Sequence, residues 1–198
     1  MLANLQSTRA WISEQDYLAG ELISEIKHEY VDGYVYAMAD ASRNHERIAG
    51  NVFGELGNFL KNKPCEPFRS GLKIKAGSRF FYPDVMVVCD EQRQHDYYTE
   101  SPVIVVEVLS KASRRVDETT KRIAYQSIPS LKEYVLIEQD FIDVEVCRKS
   151  EGWVSNHYFM GDSVQFDAIG LTLTVEEIYA RVDNDEVRSY LQEQQAQI

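Results

Sequence analysis

Apolar positions along the chain change their period several times, and each change marks an element. A capping-box-like start at Ser13-Glu14-Gln15-Asp16 predicts a short helix to about Gly20. Asp32-Gly33, between the β-prone runs 28–31 and 34–38, is a strong hairpin signal. From Ser42 to about Asn62, Ile48, Val52, Leu56, Phe59 and Leu60 recur at helical spacing and form one apolar stripe, and Pro64 closes that helix. Strand periodicity takes over from Phe68 to Cys89, with Gly77-Ser78 as the turn between 72–75 and 80–89; the polar segment 90–100 follows as a loop.

The most apolar run is Val103-Ile104-Val105-Val106-Glu107-Val108-Leu109-Ser110. As a strand it puts Val103, Val105, Glu107 and Leu109 on one face and Ile104, Val106 and Val108 on the other. Two apolar faces mark a strand covered on both sides, at the centre of a parallel or mixed sheet. A helix start at 110–113 leads into a helix to about Ile128, closed by Pro129, and 133–137 is the next strand. Strand, helix and strand in that order predict a right-handed crossover and parallel pairing. Further on, 143–148, 153–159 and 163–166 read as short antiparallel strands and 175–182 as a helix. The Gln- and Glu-rich stretch 183–198 is a solvated helix or a frayed tail. No repeat or linker divides the chain, so residues 1–198 form a single domain with its core over about 42–140.

Composition adds limits. The net charge of −11 argues against a general polyanion binder. Yet six basic residues lie between Lys61 and Arg79 against one acid, and five between Lys111 and Arg122 against two. Read from charge alone these are two solvated faces, but a basic strip beside one site is the alternative. Cys65, Cys89 and Cys147 lack C-x-x-C spacing and read as buried thiols of a reducing cytoplasm, not as a zinc site or disulfide. Residues 1–9 hold no apolar run of signal-peptide length, and no segment is long enough to span a membrane.

The chemistry starts from Glu107. An ionised carboxylate among valines is costly unless it is paired, protonated or bound to a metal. In Tyr82-Pro83-Asp84-Val85-Met86, Asp84 is a second carboxylate on a largely apolar strand, and Pro83 suits a strand start or bulge. Either acid alone is most simply a structural acceptor. On neighbouring strands the two converge, and two hard oxygen ligands at a cleft suit Mg²⁺. In the following helix, Asp117, Lys121, Ala124, Tyr125 and Ile128 fall along one apolar side, which turns Lys121 towards the sheet; an Asp117–Lys121 surface pair is the bland alternative. No phosphate loop, nucleophile elbow or close zinc spacing of the His residues occurs.

Pro83-Asp84, then Glu107 in an apolar strand, then Lys121 on a helix resembles the PD-(D/E)xK restriction-endonuclease-like superfamily. Val106-Glu107-Val108-Leu109-Ser110, Asp117, Lys121, Tyr125 and Glu133-Tyr134-Val135-Leu136 are similar to one large bacterial branch of it, as are the hairpin His28–Gly33 and the helix start at Ser42–His45. The likeness runs over roughly residues 10–180. It departs from the superfamily pattern at Leu109, where the lysine belongs; in this branch that role passes to the helix, here to Lys121.

The resemblance implies an α/β (α+β) fold: a central mixed β-sheet flanked by helices, with an N-terminal hairpin and a C-terminal antiparallel extension. It implies metal-dependent hydrolysis of DNA in a cytoplasmic homodimer. Asp84, Glu107 and the backbone carbonyl of Val108 would hold Mg²⁺ (or Mn²⁺), and Lys121 would orient the attacking water. His45 and Glu29 would be accessory ligands or phosphate contacts. Lys73, Lys75, Arg79, Arg114 and Arg115 would meet the DNA. A module that keeps the fold but binds without turnover is the alternative.

Overall fold

The computed structural model describes residues 10–89 and 95–196. The reading of 1–9 therefore lies outside the described residues, as does the 90–94 part of the loop and the last two residues of the tail. Pro102–Leu109 forms β8, which is buried along its whole length. It pairs antiparallel with β6 (Val85–Cys89) on one side and parallel with β9 (Glu133–Glu138) on the other. With β3 (Cys65–Arg69), β10 (Val144–Arg148) and β11 (Ser155–Tyr158) they make a six-stranded mixed sheet of order β11-β10-β9-β8-β6-β3. Pro67 is tolerated in β3 because that strand is an edge.

Each face of β8 packs on its own core. Val85, Val87, Ile104, Val106 and Val108 meet Ile48, Val52 and Leu56 of the helix α2 (Arg43–Leu60). Ser42 caps α2 by accepting from the His45 N–H. On the other face Met86, Val105 and Leu109 pack against Ala124, Tyr125 and Ile128. The crossover helix carrying Ala124 and Tyr125, α3, runs from Arg114–Val116 through a π-helical turn at Asp117–Lys121 to Arg122–Gln126, with Ile128 just past its end. Helical periodicity does not reveal such a turn, and π-turns concentrate at functional sites.

A second, five-stranded sheet of order β2-β1-β5-β4-β7 was not foreseen. The hairpin of β1 (His28–Val31) and β2 (Tyr34–Ala37) is part of it, joined by β4 (Lys73–Ala76), β5 (Arg79–Phe81) and β7 (Tyr98–Thr99). Asp32 and Gly33 turn the hairpin at φ of 51° and 98°, a left-handed conformation open to Asp and Gly. The expected continuous strand 80–89 is broken at Tyr82-Pro83-Asp84: β5 belongs to one sheet and β6 to the other. Pro83 makes that division, because it has no N–H to give a ladder.

The C-terminal extension is a hairpin of β12 (Ser163–Phe166) and β13 (Leu171–Thr174), the latter unrecognised in the sequence. The helix expected over 175–182 is only one turn, α4 (Val175–Ile178). The final stretch forms α5 (Asp185–Ala196), tied down where Glu186 accepts from the Ile142 N–H and Tyr190 donates to Glu176. No helix among the described residues is long and apolar enough to cross a membrane.

Two of the cysteines correct the sequence reading. Cys65 and Cys89 lie directly opposite on β3 and β6 and are joined as a disulfide; Cys147 remains a free, buried thiol. Antiparallel register brings the pair together, which a separation of 24 residues does not disclose. Closing that loop restricts the unfolded chain, so reduction or Cys89→Ser should cost about 2–4 kcal/mol. Thermal unfolding with and without dithiothreitol measures it.

Candidate active site

Asp84 precedes β6, and the register that sets Val85 against Val106 places it opposite Glu107 on the same face. Each acid reaches the backbone of the facing segment. Val108 N–H donates to Asp84 Oδ2 at 2.7 Å, and Asp84 N–H approaches Glu107 Oε2 at 3.3 Å. His45, in the first turn of α2, brings Nε2 to 3.1 Å from the same Asp84 Oδ2. Glu107 Oε1 accepts from Lys121 Nζ at 3.1 Å and from the Tyr125 hydroxyl at 3.0 Å.

Glu107 Oε1 thus accepts from two donors, and Asp84 Oδ2 accepts from the Val108 amide with His45 Nε2 in ion-pair contact. The oxygens left to a further ligand are Asp84 Oδ1 and, apart from one long amide contact, Glu107 Oε2. Val108 offers its N–H towards Asp84, and the carbonyl of a strand residue faces the same edge as its N–H. Among the described residues no three His, Cys, Asp or Glu side chains converge closely enough to hold an ion by themselves.

Lys121 is buried, and the surface pair with Asp117 is not what forms. Its ammonium lies 2.9 Å from Glu29, 3.0 Å from Asp117 and 3.1 Å from Glu107. The Asp117 contact is an ion pair and not an aligned hydrogen bond. Asp117 stands on the π-turn itself, and Tyr134 donates to its backbone carbonyl at 3.0 Å, holding the turn against β9. Glu29 arrives from β1, so the second sheet supplies a wall of the site.

Three carboxylates (Glu29, Asp117 and Glu107) therefore gather at one ammonium, with Asp84 beside Glu107, and this imbalance sets the titration. Burial raises the Glu107 pKa well above the usual glutamate value; Lys121 opposes this, while Asp117, Asp84 and Glu29 add to it. Burial likewise raises Glu29, against the pull of Lys121. For Lys121, burial acts to lower the pKa, but Asp117, Glu107 and Glu29 outweigh it and leave the amine protonated. Burial also works to lower His45, and the hydrogen bond and charge of Asp84 turn the balance upward.

The residues expected to meet DNA are mostly committed elsewhere. Lys73 is buried at 4% exposure, its ammonium on the Tyr82 hydroxyl, and so is withdrawn from any DNA surface. Lys75 pairs with Glu14, Arg79 with Asp32, and Arg114 forks onto Glu138. Arg115 is exposed and, among the described residues, has no carboxylate partner. Tyr125 and Asp117 complete the site: the Asp117–Lys121 pair read from the sequence forms, but buried, and the Tyr125 hydroxyl on Glu107 is the contact the sequence does not state. Their four-residue spacing from Lys121 was the available signal.

A family model described as "Putative restriction endonuclease" (Uma2) matches residues 15–176, a span that includes Glu29, His45, Asp84, Glu107 and Lys121. The chain belongs to this family. Its relatives include "Uncharacterized protein slr1290" of Synechocystis sp. (strain ATCC 27184 / PCC 6803 / Kazusa), 33% identical over 85% of this chain and 91% of the relative. "Uncharacterized protein sll1609" of the same organism is 30% identical over 81% of this chain and 94% of its own length. Among solved structures, a protein titled "putative nuclease belonging to DUF820" from Anabaena variabilis ATCC 29413 superposes with a TM-score of 0.67. That match covers 79% of this chain and 92% of the other at 16% identity, and it shows a shared fold. Family and fold agree with the restriction-endonuclease-like architecture expected from Pro83-Asp84, Glu107 and Lys121.

Proposed function

We propose that the site hydrolyses DNA phosphodiester bonds as a Mg²⁺- or Mn²⁺-dependent endonuclease. The observation that carries this reading is the pair Asp84, at the entry to β6, and Glu107 on the neighbouring β8, each with one oxygen held by a donor and one that takes no close donor among the described residues. Mg²⁺ binds through one or two carboxylates and keeps several waters, so this donor set fits it. The excess of carboxylates over the single ammonium also favours a cation.

Asp84, Glu107 and the carbonyl of Val108 hold the ion in this reading. When bound, it supplies Lewis acidity that acidifies water and offsets charge on the phosphate. Lys121 contributes a fixed ammonium that orients the attacking water and meets charge developing on the phosphorus oxygens. Held protonated by its acids, it does not act as a general base. Asp117 and Glu29 keep it in place. Assembly as a homodimer, presenting a site to each DNA strand, is part of the same proposal; sedimentation showing only monomer at micromolar concentration counts against that part.

One observation favours a binding module without turnover: Lys73, Lys75, Arg79 and Arg114 are buried or paired, in a chain of net charge −11. Thermal unfolding against metal separates the two. Cation binding at a hundred times its dissociation constant adds about 2.7 kcal/mol, and ~1 kcal/mol moves a domain of this size by about 2–4 °C. The melting temperature should therefore climb steadily with Mn²⁺. A melting temperature indifferent to Mn²⁺ and Mg²⁺ favours the module.

A further inference from the structure

Asp84 stands where the chain passes from one sheet to the other, with Pro83 before it and β6 only beginning after it. Its backbone there has less ladder support than that of Glu107 inside β8. Its side chain is held instead at one oxygen, which accepts from the Val108 amide at 2.7 Å and lies 3.1 Å from His45 Nε2 in an ion-pair contact. His45 is itself held firmly, because its N–H is the one that Ser42 caps at the start of α2. The other ring nitrogen, Nδ1, is buried and has no hydrogen-bond partner among the described residues, so the ring's polar contact there is with Asp84.

We propose that His45 is a positioning residue for Asp84: it binds Oδ2 so that Oδ1 is presented to the cation, and it is not itself a metal ligand. This rests on the metal-site reading above and assigns His45 one role within it. A nitrogen occupied by Asp84 Oδ2 is not free to coordinate an ion, and the second nitrogen is enclosed by protein. Losing a group that orients a ligating carboxylate typically weakens metal affinity by about 10–100-fold.

The test is Mn²⁺ titration by calorimetry on the full chain, with His45→Ala, His45→Gln and wild type, each checked for its metal-free melting temperature. His45→Ala should weaken Mn²⁺ binding by about 10–100-fold. His45→Gln, whose amide N–H can occupy the place of Nε2, should recover most of the loss. A general loss of fold lowers the metal-free melting temperature and is not repaired selectively by Gln. Electron spin-echo modulation of the Mn²⁺-loaded wild type should show no directly coordinated nitrogen. Unchanged affinity in His45→Ala overturns the proposal while leaving the metal site standing, and so does a nitrogen coupling that vanishes in that variant. Wild-type protein that takes up no Mn²⁺ overturns both this role and the nuclease reading.

Discussion

Replacing Lys121 by methionine is expected to destabilise the protein by about 3–5 kcal/mol, the cost of removing one partner from a buried charge cluster. Methionine keeps the packing of the stem, so the loss is electrostatic. Glu29, Asp117 and Glu107 would then face one another without their ammonium, at distances that hold each within 3.1 Å of Nζ in the native protein. The folded state would respond by binding protons. Glu107 and Glu29 already have raised pKa values, so their stabilising contribution is present below the usual carboxylate range and is lost as pH rises through the raised values. The Lys121→Met deficit should therefore be small near pH 4 and large at pH 8. Adding Asp117→Asn should recover part of it. Chemical unfolding across that pH range reads all three effects. Equal destabilisation at both ends would mean that Lys121 acts through packing. The single methionine variant is thus a poor probe of catalysis, since it alters folding and turnover together; the double variant separates them.

Glu107→Gln should act in the opposite direction. Without metal, the variant avoids ionising a buried carboxylate while keeping acceptors for Lys121 and Tyr125, and Lys121 retains Asp117 and Glu29. Because burial raises the Glu107 pKa, the wild type loses stability as pH rises from the acid range, and the variant lacks the Glu107 share of that loss while keeping that of Glu29. The metal-free variant should melt higher than wild type at neutral pH, by about 2–4 °C for each ~1 kcal/mol recovered, and the gap should close towards pH 4. Added Mn²⁺ should reverse the order, since the amide carries no charge to hold the ion. A variant that melts lower than metal-free wild type at neutral pH would show that Glu107 is stabilising as an anion.

Much of the site was legible because its residues break local rules. Glu107 announced itself as a charge in an otherwise apolar strand, and β8 took the central, doubly covered position its valines required. Asp84 and Lys121 were found by strand and helix periodicity. The distances over which the remaining elements act are not local. Nothing near Glu29 in sequence points to Lys121, because their meeting depends on the second sheet folding β1 against the first. The Cys65–Cys89 bond follows from strand register, which sequence spacing does not encode. The DNA-contact assignments counted cations without their neighbours, so Lys73 reads as a surface cation although it is buried with its ammonium on the Tyr82 hydroxyl. The π-turn is not visible in the sequence because the spacing of Asp117, Lys121, Ala124 and Tyr125 fits an ordinary α-helix.

The most direct test of the central claim is nicking of supercoiled plasmid by purified wild-type protein with Mg²⁺, with excess EDTA, and by Asp84→Asn prepared in parallel. Several kcal/mol of transition-state stabilisation from the cation correspond to about 10³-fold or more in rate. The expected result is nicked and linear DNA that appears with Mg²⁺, disappears with EDTA, and falls by at least about that factor in Asp84→Asn. Cleavage that persists in EDTA, equal cleavage by Asp84→Asn, or no cleavage by a wild-type protein that binds the ion would contradict it.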